Sequence, residues 1–152
     1  MRSCRIITGE LGEGKTTLIG HIASSFLSPV GFISIHRGNE YFMKNLETGE
    51  EKLLMTRENT FETKWKNWYV DFSLFDSVLE RMKSVHSGPV FLDECGRMEI
   101  DGKGYAPVVN LLKNRDVDLY FTLRRPFVDD FVRAFSIVDY SLVPVERRAN
   151  FS

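Results

Sequence analysis

Three glycines within six positions, followed by a lysine and two threonines, make residues 9–17, GELGEGKTT, the stretch whose residue types speak most plainly of chemistry. It satisfies G-x-x-x-x-G-K-[ST] with Gly9, Gly14, Lys15 and Thr16 in the fixed places. A phosphate chain is broad and strongly negative, so a backbone that wraps it must turn its N–H groups inward, through conformations that a Cβ obstructs. Gly9, Gly12 and Gly14 are expected to supply them, with Glu10, Leu11 and Glu13 completing the loop. A helix opening at Lys15 adds unpaired N–H groups and the positive end of its dipole. In this reading Lys15 reaches the β- and γ-phosphates of a nucleotide, the Thr16 hydroxyl ligates Mg²⁺, and Thr17 touches the α-phosphate.

A second chemical stretch is GPVFLDE, residues 88–94, an apolar run that closes on Asp93 and Glu94. Mg²⁺ on a nucleotide needs a carboxylate opposite the loop hydroxyl, often through water, and Asp93 suits that task. Neighbouring side chains of an extended chain point apart, which leaves Glu94 to orient or deprotonate an attacking water. Thr122 closes a later apolar run and is either a hydrogen-bond partner of that water or an ordinary strand threonine. Hydrolysis of a γ-phosphate also profits from a cation on the transferring group, for which Arg97, Arg124 and Arg125 are candidates. Glu99 is expected to brace its loop by pairing with Lys103 or Arg97. Trp65, Trp68 and Tyr69 either stack on a nucleobase or form a lid or hairpin packed against the domain.

These groups need a scaffold. CRIIT is a short apolar run ended by Gly9 and reads as a strand. Leu18, Ile19, Ile22, Ala23 and Phe26 recur at helical spacing until SPVG interrupts them. VGFISIH reads as a strand, and residues 40–56 as a hairpin around ETGE. ENTFETKWKNWYVDF has no clear period and reads as irregular. Leu74, Phe75, Val78, Leu79 and Met82 fall on one helical face, and VFLDE follows as a fully apolar strand. Beyond lie a helix over residues 105–114, the strand VDLYFTL, the helix PFVDDFVRAF opened by Pro126, and a last strand, SIVDYSLVPV. Strands that alternate with helices predict an α/β fold with a parallel sheet between helices, which binds ligands at the carboxyl ends of its strands.

Composition agrees with one domain over residues 1–152. Apolar residues make up 43% and charged ones 27%, as in globular chains, and the net charge of -1 gives no electrostatic footprint for nucleic acid. No signal peptide and no apolar run of membrane length is visible, so a soluble cytoplasmic protein without membrane contact is expected. Cys4 and Cys95 lie far apart and read as reduced thiols within strands. His21, His36 and His86 have no partner at metal-ligand spacing.

GELGEGKTT, FLDECGRMEI and VDLYFTLRRPF together resemble the THEP1-type nucleoside triphosphatases, small P-loop enzymes, over nearly the whole chain. The particular element is D-E-x-G-x-M-E after an apolar strand, here Asp93, Glu94, Gly96, Met98 and Glu99. The resemblance implies a P-loop three-layer sandwich with a mainly parallel central sheet and a small hairpin insertion. It also implies Mg²⁺-dependent hydrolysis of nucleoside 5′-triphosphates to diphosphates and phosphate, with broad base tolerance. Where the family carries an asparagine–arginine pair after its final strand, this chain reads VERRANFS, with Arg147 and Arg148. Three other classes use the same cradle. DECG satisfies the D-x-x-G of regulatory GTPases, but no N-K-x-D stretch reads guanine. A small nucleotide or nucleoside kinase would need an acceptor site, with LRRPFVDDFVR as its arginine lid, and a nucleotide-dependent switch would need a protein partner.

Overall fold

The computed structural model describes residues 1–10, 12 and 14–145. The apolar core of β1 (Ser3–Gly9) forms a strand because Ile6 and Ile7 are both fully buried, one toward each face of a sheet covered on two sides. Helix α1 (Lys15–Ser24) follows the glycine loop and leads to β2 (Val30–Arg37). There the chain turns back on itself as β3 (Glu40–Asn45) and β4 (Glu51–Thr56), then as the short pair β5 (Lys64–Trp65) and β6 (Trp68–Val70). Next come α2 (Ser73–Met82), β7 (Ser87–Cys95), the four-residue α3 (Arg97–Ile100), α4 (Ala106–Leu112) and β8 (Asp116–Arg124). A 3-10 turn (Arg125–Phe127), α5 (Val128–Ala134) and β9 (Ser141–Pro144) complete the described chain.

All nine strands join one sheet in the order β5-β6-β4-β3-β2-β7-β8-β1-β9. From β2 to β9 every pairing is parallel, and from β2 to β5 every pairing is antiparallel. The α/β class and the three layers hold, while the expected small hairpin insertion is an antiparallel wing that continues the sheet. Ile19 and Ala23 of α1 pack on Ile7, Phe91 and Tyr120 on one face. On the other face α2, α4 and α5 cover Ile6, Leu92 and Phe121, the last meeting Phe131 edge-on with ring centroids 5.2 Å apart. Burying such a side chain contributes about 1.5–3 kcal/mol, so the two largely apolar faces carry much of the stability. Cys4 and Cys95 are buried thiols on β1 and β7, and burial pushes the Cys4 thiol up to about 12.

Three expectations change. The stretch around Trp65 is not irregular but forms the hairpin that one reading of its aromatics expects, with Trp65 opposite Trp68 and Val70 opposite Met55, and its strands are too short to display an alternation. Helix α1 ends at Ser24, although Phe26 beyond it still packs on Phe91 at 5.8 Å. In the last apolar run only Ser141–Pro144 pairs with β1. Arg147 and Arg148, with Leu11 and Glu13 of the loop, lie outside the described residues. Among the described residues no helix is long and apolar enough to cross a membrane.

The join between the parallel half and the wing runs through Gly31, whose register partner is Phe91. A Cβ at Gly31 would lie 2.3 Å from the Phe91 carbonyl oxygen and 2.8 Å from its Cβ, so the strands approach as closely as a hydrogen side chain permits. Gly31→Ala is therefore expected to lower the unfolding free energy by about 1–3 kcal/mol through overpacking. Urea denaturation followed by circular dichroism checks this, and an unchanged midpoint contradicts the close approach.

Candidate active site

The glycine loop leaves β1 at its carboxyl end and delivers the chain to the start of α1. Gly12 and Gly14 have φ of 79° and 94°, and a Cβ at either would meet nothing within 4 Å. Their requirement is thus conformational, since an L side chain resists the left-handed region even in open space. Gly9 differs from the expectation of a loop glycine: it ends β1 in register with Arg124 of β8. Gly14 is the N-cap of α1 and offers no side-chain cap, leaving the helix end to whatever acceptor approaches. Lys15 is buried and donates from Nζ to the Glu10 carbonyl at 2.9 Å, folding across the loop. Thr16 faces inward toward β7, while Thr17 is exposed.

β8 separates β1 from β7, and at the carboxyl end of β7 the register slips. Leu92 is opposite Phe121 but Cys95 is opposite Leu123, so one extra residue stands on β7. The slip explains a correction: Asp93 and Glu94 are not divided by simple strand alternation, because Glu94 has φ 63° and the chain is not extended there. The bulge buries Asp93 at 2% exposure and sets the Glu94 side chain out into a cleft.

Asp93 receives four hydrogen bonds from four elements. The Thr16 hydroxyl (2.8 Å) and the Ser34 N–H (3.0 Å) donate to Oδ2, and the Thr122 hydroxyl (2.6 Å) and the Glu94 N–H (3.0 Å) donate to Oδ1. Burial raises the Asp93 carboxyl, and these four donors oppose the shift. Thr122 also accepts from the Glu94 N–H at 2.7 Å, which holds the left-handed residue in place. With its one proton committed to Asp93, Thr122 positions the acidic pair instead of facing a water.

Glu94 is raised by burial and by the Asp93 charge, with Lys15 and His36 pulling the other way. The cleft that it enters has a volume of about 360 Å³ and is also lined by Lys15, Ser34, Arg97, Arg124, Trp65 and Trp68. Arg97 pairs with Asp101 at 3.2 Å and Arg124 with Glu10 at 3.5 Å, whereas Arg125, in the exposed 3-10 turn, is not part of the lining. Trp68 lies under Arg57 (4.4 Å to the ring) and meets Tyr41 edge-on at 5.2 Å, while Tyr69 lies under Lys64, away from the cleft lining. Residue types alone did not single out Arg57, Tyr41 or Ser34, the last acting through its backbone.

Glu99 braces its loop, but through neither Lys103 nor Arg97. Its oxygens accept from the N–H groups of Gly96 (2.8 Å) and Tyr105 (3.0 Å), and burial raises the carboxyl to about 7. Gly104 makes room for it, since a Cβ there would lie 2.2 Å from Oε2.

A glycine loop with its lysine and hydroxyl, facing a buried acid at the carboxyl ends of parallel strands, defines a P-loop nucleotide-binding domain. The sequence matches the NTPase family over residues 4–150, and the chain belongs to that family. Membership supports nucleoside triphosphatase activity in general terms. The crystal structure of THEP1 from the hyperthermophile Aquifex aeolicus shares the fold, with a TM-score of 0.71 and 23% identity over 93% of this chain and 89% of that one. No curated protein matches the chain.

Two measurements test the geometry. Thr122→Val keeps the shape and removes the hydroxyl between Asp93 and Glu94, so urea midpoints should report a loss of about 1–3 kcal/mol. Glu99, at about 7 in the folded chain against 4.5 as an ordinary carboxyl, makes the native state hold the extra proton between those values. Stability from this group is full below the lower value and falls as pH rises through the upper one. Glu99→Gln should flatten that decline, and equal slopes for both proteins across pH 5 to 7.5 would refute the assignment.

Proposed function

We propose that the chain is a Mg²⁺-dependent enzyme that hydrolyses ATP, GTP and other nucleoside 5′-triphosphates to diphosphate and phosphate, with little demand on the base. The observation that carries this reading is the joining of the loop to the acidic strand: Thr16 and Asp93 meet at 2.8 Å, with Lys15 and Glu94 in one cleft beside them. Gly9, Glu10, Leu11, Gly12, Glu13 and Gly14 cradle the phosphates, with Thr17 at the α-phosphate. Lys15 sheds its bond to the Glu10 carbonyl for the β- and γ-oxygens.

Among the described residues no group of three His, Cys, Asp or Glu could hold a metal alone. Thr16 and Asp93 are hard oxygen donors, which suits Mg²⁺ arriving on the nucleotide, with phosphate oxygens and water filling most of its shell. Bound there, the ion neutralises charge that develops on the β- and γ-phosphates. Glu94 lines the same cleft as Lys15 and accepts the proton of the attacking water. Arg124, tied to the loop through Glu10, is the best placed arginine to offset charge on the leaving phosphate.

The net charge of -1 gives no reason to invoke nucleic acid, and the reading is of a cytoplasmic enzyme with one domain over residues 1–152. Any protein partner is unidentified. Phosphate release from ATP, GTP, CTP and UTP with Mg²⁺ tests the proposal. Glu94→Gln is expected to slow release by about 10²–10⁴-fold while nucleotide still binds. Lys15→Ala is expected to lose nucleotide binding as well. Binding without release by the native chain would overturn hydrolysis as its activity.

A further inference from the structure

The cleft beside Glu94 extends well beyond what a γ-phosphate and a water require. Its lining passes from Lys15, Asp93 and Glu94 at one end to the wing and the helical side at the other, where Phe42, Met55, Trp65, Trp68, Phe75 and Phe127 supply apolar surface. At about 360 Å³ it falls in the lower part of the range for small-molecule sites, about 300–1,000 Å³. Aromatic and thioether groups around a few polar ones make a surface for a planar ring. Trp68 is set in advance, with Arg57 over its ring and Tyr41 against its edge.

Placement separates this surface from the base of the bound nucleotide. Among the described residues of the loop and the first turn of α1, Lys15 lines the cleft and Gly12, Gly14, Thr16 and Thr17 do not. A P-loop lysine serves the β- and γ-phosphates, and the loop backbone serves the α and β. The cleft therefore opens from the γ end of the phosphate chain, and the nucleoside end leaves elsewhere. The charges choose between two kinds of second molecule. Arg97 and Arg124 are each paired with a carboxylate, Lys66 stands at the wing end over the Trp65 ring, and Asp93 and Glu94 line the cleft with Lys15. Beside Glu94 a hydroxyl is received, whereas a second phosphate placed at that end would meet two carboxylates.

We propose that the cleft is an acceptor site for a nucleoside-like alcohol, a heteroaromatic ring that packs against Trp65 and Trp68 and turns its hydroxyl toward Glu94. The inference rests on the phosphate site proposed above and adds to it. The acceptor oxygen attacks the γ-phosphorus and forms a new P–O bond, while its proton passes to the Glu94 carboxylate. The bridging P–O bond to the β-phosphate breaks, and its electron pair leaves with the nucleoside diphosphate beside Lys15. One triphosphate and one alcohol become one diphosphate and one phosphate monoester. Water takes the alcohol's place when the cleft holds none, and hydrolysis results.

The protein carries its own reporter, because its two tryptophans, Trp65 and Trp68, both line the cleft. The experiment titrates the native chain, with Mg²⁺ and a non-hydrolysable ATP analogue bound, with adenosine, guanosine, cytidine, uridine and thymidine while tryptophan fluorescence is recorded. Parallel reactions with γ-labelled ATP follow the label into those nucleosides and into their monophosphates. The expected result is saturable quenching by at least one nucleoside and label recovered as its monophosphate. Trp65→Ala should weaken that nucleoside at least tenfold, read through Trp68, and Trp65→Phe should restore most of the affinity. Three results overturn the inference: label passing to monophosphates instead of nucleosides, full quenching by the ATP analogue alone, or nucleotide hydrolysed with no nucleoside quenching or accepting label. The last leaves the hydrolase reading intact, whereas a native chain that binds no nucleotide removes both.

Discussion

Everything around the glycine loop hangs on one buried carboxylate. Asp93 receives donors from α1, β2, β8 and its own strand, so the helix after the loop, the first strand of the wing side and the central strand share one fixed point. An isolated carboxylate at 2% exposure would be costly to ionise, and four donors are what make its burial tolerable. The arrangement cannot be loosened at one donor without affecting the others, because the Thr122 hydroxyl serves Asp93 and the Glu94 N–H together. Buried polar networks of this kind rigidify a site when every member is satisfied, and no buried side-chain polar atom among the described residues lacks a partner.

The bulge in β7 uses that rigidity to aim a second acid. A regular strand would keep Asp93 and Glu94 on opposite faces of the sheet, one of them beneath helices. One extra residue and a left-handed φ at Glu94 lift its side chain into the cleft while its N–H still reaches Asp93. The strained conformation is compensated by two hydrogen bonds, which fits the tendency of such outliers to gather where a side chain must be aimed.

Legibility in the sequence followed the length and regularity of each element. The glycine loop, α1, α2 and the long apolar strands were readable because their spacing repeats over many residues. The wing beyond residue 56 was not, since strands of two and three residues show no alternation, and β6 joins the sheet only through Met55 and Thr56 of β4. Glu99 looked like half of an ion pair because charge is visible in sequence, whereas the N–H groups of Gly96 and Tyr105 that it actually serves are not. Among the arginines, the distinction lay in where β8 ends: Arg124 is its last residue and reaches Glu10, while Arg125 begins the next turn. Asp93 and Thr16 stood out singly, but their contact spans 77 positions and only the fold brings it about.

The outer strands of the sheet have a consequence for life in a crowded solution. A nine-stranded sheet would ordinarily present two long rows of unpaired backbone groups, each a template on which other chains could stack. Here one border is β5, two residues long, and the other described border is β9, four residues long and closed by Pro144, which has no N–H to offer. The broad pleated platform that carries the glycine loop thus tapers at both described margins, and accretion of copies edge to edge finds little purchase there.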